Sequence, residues 1–192
     1  MSDDQAGVVP VGQRLPARIL DGLHPSLLSL DHLARQCDLR TQPRSGPGGQ
    51  HRNRTSSGVF LFHSPTTVTA EATERRSQAS NRKFALRRLR HRLATEIRTP
   101  SELDSPRLPA EERQLRQRYN GTPLRMAEDN VDKPAVLALL LNDLHACGGQ
   151  TRRVADHWHV STSAIVRLLK TYREAFTLLN QIRTHHDYSV LR

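Results

Sequence analysis

The sequence predicts an α+β protein: a small β-sheet packed on a long basic helix, followed by an all-α unit of helix-turn-helix type. Three observations carry this expectation. Runs rich in β-branched and aromatic residues, punctuated by turn formers, cluster before residue 72. An apolar stripe at helical spacing with strongly basic flanks then occupies residues 77–98, and beyond Pro134 apolar residues recur at helical spacing. At 192 residues the chain can hold one or two modest cores, since folding units usually run to about 100–150 residues.

Taken in order, residues 1–24 mix Gly, Pro and polar types without a period and read as a disordered N-terminus. A first domain is expected over 25–99. Ser29 is placed to cap a short helix whose Leu30, Leu33 and Ala34 share a face and which ends near Cys37. Residues 37–41 form a plausible strand, and 58–63 and 66–71 flank Ser64-Pro65 as a hairpin. Ser77 or Ser80 then caps a helix to about Arg98, with Phe84, Leu86, Leu89, Leu93 and Ile97 as its buried stripe. Between Glu74 and Arg98 stand nine basic residues (Arg75, Arg76, Arg82, Lys83, Arg87, Arg88, Arg90, Arg92, Arg98) against Glu74 and Glu96. A charged helix face is usually just solvated, yet such faces normally mix signs, so polyanion contact is the favoured reading here.

Residues 100–133 carry Pro100, Pro106, Pro109 and Pro123 among polar residues and read as a linker, with a short helix around 111–118. The second unit, 134–192, opens on Pro134 at a first helical turn; Val136, Leu137, Leu140, Leu141 and Leu144 give that helix an apolar face, and Gly148-Gly149 stops it. Within TRRVADHWHVSTSAIVRLLK, residues 151–170, Ala155 sits at a close crossing, Ser161 caps a second helix, and Ile165 and Leu168 lock it down. His159 stands where a left-handed turn is required. The last helix is expected to run on through Tyr172, Phe176, Leu179 and Ile182. DNA reading, RNA or ribosome contact, and a pure scaffold all remain open for this unit.

The formal charge is +10, the pI is near 10.9, and only Lys83, Lys133 and Lys170 are lysines among 29 basic residues. Arginine's planar fork suits phosphate, which favours a nucleic-acid partner over a merely solvated surface. Cys37 and Cys147 are too few and too far apart for a disulfide framework or a four-ligand zinc site. The N-terminus matches no secretory signal, and the longest apolar run, 135–141, is short of the roughly 20 residues of a membrane span. A soluble, cytoplasmic monomer with no membrane contact is expected. His157, His159, His185 and His186 offer His-x-His across a turn without a third ligand, so neither a metal nor a cofactor is expected.

The tripeptide GGQ occurs twice, at Gly48-Gly49-Gln50 and Gly148-Gly149-Gln150. Chance alone puts one in about 4% of chains this long, so the tripeptide by itself decides nothing. The second copy stands where one helix stops and the next starts, which is a sufficient structural role. The first lies in GPGGQHRNRT between two expected strands, with Arg40 and Arg44 before it and Arg52 and Arg54 after. Glycines without Cβ let backbone press against a crowded surface, and the arginines can hold such a loop against phosphates. Only His51 titrates near neutrality there, so any chemistry rests on backbone N–H groups and a neutral amide. The alternative is an exposed flexible loop.

Residues 37–98 resemble the catalytic domain of class I peptide chain release factors. The likeness is carried by the GPGGQ loop, Asn53-Arg54-Thr55 where Asn-Lys-Thr is common, the hairpin, and then Arg76-Ser77-Gln78 with Asn81-Arg82 opening a basic helix. The whole is similar to small bacterial release-factor-like proteins that lack the codon-recognition domain. The resemblance implies hydrolysis of the ester between nascent peptide and tRNA in the large ribosomal subunit. Gly48 and Gly49 would let the loop enter a site walled by RNA. Gln50 would stabilise the oxyanion through its backbone N–H and orient water through its amide; a SAM-dependent methyltransferase would be its modifying partner. Arg44, His51, Arg52 and Arg54 near the loop, Arg76 ahead of the helix, and Arg82, Arg87 and Arg88 on it, are the implied ribosomal RNA contacts. No codon-reading tripeptide is found and the chain ends in a helical unit, not a basic tail, so codon-independent hydrolysis is expected in an unconventional rescue mode. Two alternatives stand beside it: a non-catalytic ribosome binder, and a DNA-binding regulator working through residues 161–170.

Overall fold

A computed structural model describes residues 7–42, 57–105 and 107–192. In chain order the elements are β1 (Arg18–Ile19), α1 (Leu30–Arg35), β2 (Cys37–Gln42), β3 (Gly58–His63), β4 (Thr69–Ala72), α2 (Gln78–Glu96), β5 (Ile97–Arg98), α3 (Ala110–Tyr119), α4 (Lys133–Ala146), α5 (Thr151–His157), α6 (Thr162–Lys170) and α7 (Arg173–His185). The mixed α+β class and the all-helical C-terminal region are as the sequence predicts. The chain divides into two compact units, Leu28–Leu93, and the described residues up to Leu27 together with Ala94–Arg192.

In the Leu28–Leu93 unit, α1 is capped as expected: Ser29 Oγ accepts from His32 N at 3.2 Å. The sheet is antiparallel in the order β2-β3-β4, with Leu39 opposite Leu61 and Leu61 opposite Ala70. Alternation along β3 buries Val59, Leu61 and His63 and turns Phe60 and Phe62 outward. Strand β4 starts at Thr69, later than the expected 66, because Thr66 and Thr67 belong to the turn: both N–H groups donate to His63 O, and Thr67 has φ +57°. Helix α2 lies alongside the sheet, and its buried line Asn81, Ala85, Leu89, Leu93 advances by fours.

The other unit incorporates segments that hydropathy assigned to disorder and to a linker. Residues expected to be disordered form β1, which pairs in parallel with β5. Val9 N donates to Ala146 O at 2.8 Å, and Arg14 pairs with Asp104 at 2.6 Å. His24 is fully buried; because its Nδ1 accepts from Ser26 N, its Nε2–H donates to Ile97 O at 3.1 Å. Within the expected linker, α3 covers the short helix read there, but Glu112, Leu115 and Arg116 are buried. These segments pack because their polar groups find internal partners, which apolar periodicity cannot register.

Helix α4 is buried around its whole circumference and not on one face only, the pattern of a helix enclosed by its neighbours, which here include α5, α6 and α7. It ends as expected at Gly148 (φ +62°) and Gly149 (φ +79°), with Gly149 N donating to Leu144 O. The last expected helix is two: α6 stops at Lys170 and α7 begins at Arg173, because Thr171 Oγ1 turns back to Leu168 O and Tyr172 is extended.

Candidate functional site

Strands β2 and β3 bracket the segment that carries GPGGQHRNRT. Arg44, Gly48, Gly49, Gln50, His51, Arg52 and Arg54 lie outside the described residues. The two ends of the segment are described, and they are held together. Gln42 pairs with Gly58 at the last step of the β2–β3 register. A Cβ at Gly58 would stand 3.1 Å from Gln42 O and 3.3 Å from Thr73 Cγ2, so glycine lets the strands close there.

Asn81 braces the same stem. Its side chain is fully buried, and Nδ2 donates both to Ser57 O at 2.6 Å and to Arg75 O at 2.9 Å, while Oδ1 accepts from Arg75 N at 2.9 Å. One amide thus ties the exit of the segment to the approach to α2. The Ser57 carbonyl is buried and, left unpartnered, would cost about 1–3 kcal/mol; Arg75 is exposed, so its two backbone groups would cost less. The sequence reading placed Asn81 at the helix opening without giving it this role. The signal was present: Asn81 stands four residues before Ala85 on the buried line, where a polar residue needs internal partners.

The cations on and flanking α2 separate into two groups. Arg76 and Arg82 are exposed, Arg87 is half-buried, and none of the three forms a hydrogen bond or ion pair with another described residue. Arg88 differs. It pairs with Glu74 and donates to Glu71 O at 2.8 Å, and Arg92 donates to Thr69 O. Hydrogen bonding from Arg88 holds the Glu74 carboxyl below its ordinary value. These two arginines occupy carbonyls of β4, the edge strand of the described sheet, and charged side chains at such an edge disfavour further strand pairing. Buried cations account for more of the run: Arg90 is nearly enclosed, and Arg98 is fully buried, its guanidinium pushed down to about 9 by that burial. Of the nine, only some face solvent. A groove of about 570 Å³ bordered by Leu30, Asp31, Leu39, Arg82, Lys83 and Leu86 runs beside the free cations.

The second GGQ has a packing role. A Cβ at Gly149 would lie 2.6 Å from Arg183 Cγ and 3.2 Å from Arg183 N, and one at Gly148 would meet His186 at 3.1 Å. Both glycines therefore serve close approach as well as positive φ.

The expected helix-turn-helix is present as α5 and α6. His159 takes the turn at φ +50°, Ser161 Oγ accepts from Ala164 N at 3.1 Å, and Ala155, Ile165 and Leu168 are buried. A buried polar cluster supports it, one the sequence did not disclose. Asp143 accepts from Arg116 at 2.7 and 3.0 Å, from Trp158 Nε1 at 2.6 Å and from Ser101 Oγ at 2.6 Å. Glu112 Oε1 also accepts from Arg116, at 3.1 Å; burial pushes the Glu112 carboxyl up against the pull of that guanidinium. His157 Nε2 lies 3.1 Å from Glu102 Oε2. None of the described helices is long and apolar enough to cross a membrane.

Comparison with known proteins bears on this arrangement directly. The RF-1 domain family matches residues 34–129. Among curated relatives, the mitochondrial "Peptide chain release factor 1-like" protein of Rattus norvegicus is 48% identical over 58 residues, 29% of this chain and 16% of that protein. "Peptide chain release factor 2" of Variovorax paradoxus (strain S110) is 50% identical over 58 residues, again 29% of this chain and 16% of the relative. "Peptide chain release factor 1" of Symbiobacterium thermophilum is 36% identical over 100 residues, 51% of this chain and 26% of the relative. The chain spans a sixth to a quarter of the length of these relatives. The family match runs beyond the motifs to residue 129, taking in half of the sequence, the GPGGQ tract, the braced sheet and the basic helix; this chain belongs to the RF-1 domain family.

Proposed function

We propose that the protein is a codon-independent peptidyl-tRNA hydrolase acting on the ribosome. The observation that carries this reading is the GPGGQHRNRT tract, set between two strands of an RF-1 domain whose stem is closed at Gln42–Gly58 and fixed by Asn81. In the proposed reaction a water oxygen attacks the ester carbonyl carbon, the bond to the tRNA ribose oxygen breaks, and that oxygen takes up a proton. Gly48 and Gly49 give the backbone access. The Gln50 N–H stabilises the developing oxyanion, a contribution of about 2.7–4 kcal/mol for one such donor, and the Gln50 amide orients the water.

Arg44, His51, Arg52 and Arg54 are the proposed RNA contacts of the segment; Arg76 just before α2 and Arg82 and Arg87 on it are the others, since these three face solvent or its border without a partner among the described residues. Arg88 is assigned to the sheet edge. The protein acts as a monomer in the cytoplasm, and Gln50 is the substrate of a SAM-dependent glutamine methyltransferase. Peptide release is measured from purified ribosome complexes programmed with a stop codon, a sense codon or a truncated message. Equal release on all three is expected. A strict requirement for a stop codon would overturn codon independence, and ribosome co-sedimentation without release from any complex would leave a non-catalytic binder.

A further inference from the structure

The hydrolytic reading makes no use of α5 and α6, yet their exposed side is chemically uniform. On α6, Ser163, Arg167 and Lys170 point to solvent while Ala164, Ile165, Leu168 and Leu169 are buried. Their spacing of four and three puts the exposed residues on one face. No acidic residue occurs in α6. From Gln150 to Arg173 the cations are Arg152, Arg153, Arg167, Lys170 and Arg173, against Asp156 alone. The face opens on a shallow groove of about 420 Å³ lined by Thr151, Thr162, Ser163, Arg167, Lys170 and Leu191. Arg167 forms no hydrogen bond or ion pair with another described residue, and Lys170 spends one of its three donors on Arg192 O at 2.5 Å.

We infer that this face docks on double-helical RNA. The geometry is that of a helix presented for a nucleic-acid groove: a left-handed turn at His159, a capped second helix, and a rigid base anchored by Trp158 on Asp143. The chemistry decides which duplex. Reading base edges in DNA relies on planar forks, with Asn or Gln for adenine and Arg for guanine, and α6 offers one arginine and no amide. What it does offer is hydroxyls at Thr162 and Ser163, the free N–H groups of its first turn, and two cations, which are donors to phosphate and 2′-hydroxyl oxygens. Recognition is therefore of shape and backbone, without sequence preference. The inference is independent of Gln50 and of hydrolysis.

The test titrates full-length protein against an end-labelled RNA duplex of about 16 base pairs, a length that spans two successive minor grooves, and against DNA of the same sequence, over a series of salt concentrations. The variants are Arg167→Gln with Lys170→Gln, and a charge-matched control, Arg113→Gln with Arg125→Gln. Wild type is expected to bind RNA more tightly than DNA. The α6 pair should weaken RNA binding about tenfold and flatten the salt dependence by about two phosphate contacts, whereas the control should change affinity less than about twofold. Three results would each overturn the inference: unchanged affinity of the α6 pair, an equal loss in the control, or DNA binding as tight as RNA binding. Peptide release plays no part in the readout, so failure here is separable from failure of the hydrolase reading.

Discussion

Replacing Asn81 tests whether the stem of the GGQ segment is held by one amide. In Asn81→Ala three bonds at 2.6, 2.9 and 2.9 Å disappear together, the first of them buried, leaving Ser57 O without its partner in the interior and Arg75 O and Arg75 N, on an exposed residue, to turn to water. With about 1–3 kcal/mol for the buried Ser57 carbonyl and less for the two Arg75 groups, which water can reach, a loss of about 2–4 kcal/mol is expected. That is a large part of the roughly 5–15 kcal/mol that stabilises an ordinary domain. The more discriminating variant is Asn81→Asp, which keeps the size and the acceptor for Arg75 N but puts an oxygen against Ser57 O and Arg75 O. It should destabilise at least as much as alanine near neutrality, and partly recover in acid when its carboxyl can donate. Urea unfolding followed by circular dichroism gives the totals, and amide exchange at Gln42 and Gly58 localises the effect. If Asn81→Asp lies within about 0.5 kcal/mol of wild type, the scale of a neutral surface substitution, the brace is not what holds the stem.

Further expectations follow from the other unit. Burial, reinforced by Arg98, pushes His24 down to about 3 from its ordinary 6.5. The folded state therefore binds this proton only in strong acid, and stability should fall as pH drops below 6.5, by up to about 1.4 kcal/mol per unit from this group. A His24→Gln variant should show a shallower decline in Tm between pH 6.5 and 4.5; an unchanged slope would count against the assignment. Asp143→Ala strands the buried Arg116 and should cost about 3–5 kcal/mol, with a shift in the emission of Trp158, the single tryptophan. An emission spectrum and unfolding midpoint like wild type would contradict the cluster's role. Gly149→Ala meets both φ +79° and Arg183 N at 3.2 Å, so a loss of at least about 1 kcal/mol is expected in thermal unfolding; a neutral result would refute close packing at that turn.

What the sequence made legible was whatever rests on apolar period and turn chemistry. The capped α1, the three-stranded sheet, α2, the glycine stop after α4 and the His159 turn all follow from such local signals, whereas the family resemblance rests on the GPGGQ tract and the motifs that open the basic helix. What it concealed rests on internal pairing of polar groups. His24, Arg98, Ser101, Glu112 and Asp143 look like surface residues by composition, yet each is buried with a specific partner, so the expected disordered N-terminus and linker join a core. The basic run of α2 hid something different: Arg88 and Arg92 stay exposed, yet they also bond Glu74 and the β4 carbonyls, a use that depends on strand placement. At the candidate site the motif was readable and its brace was not, because Asn81 acts across 24 residues of sequence on a single carbonyl.

The two GGQ copies provide the most direct measurement of the central claim. Release of labelled peptide from purified stalled ribosome complexes is compared for wild type, Gln50→Ala and Gln150→Ala. The account predicts that wild type and Gln150→Ala release at similar rates, while Gln50→Ala is about 100-fold slower or worse, the scale of a lost oxyanion-site contribution. Release by Gln50→Ala at the wild-type rate, or none from wild type itself, would contradict it.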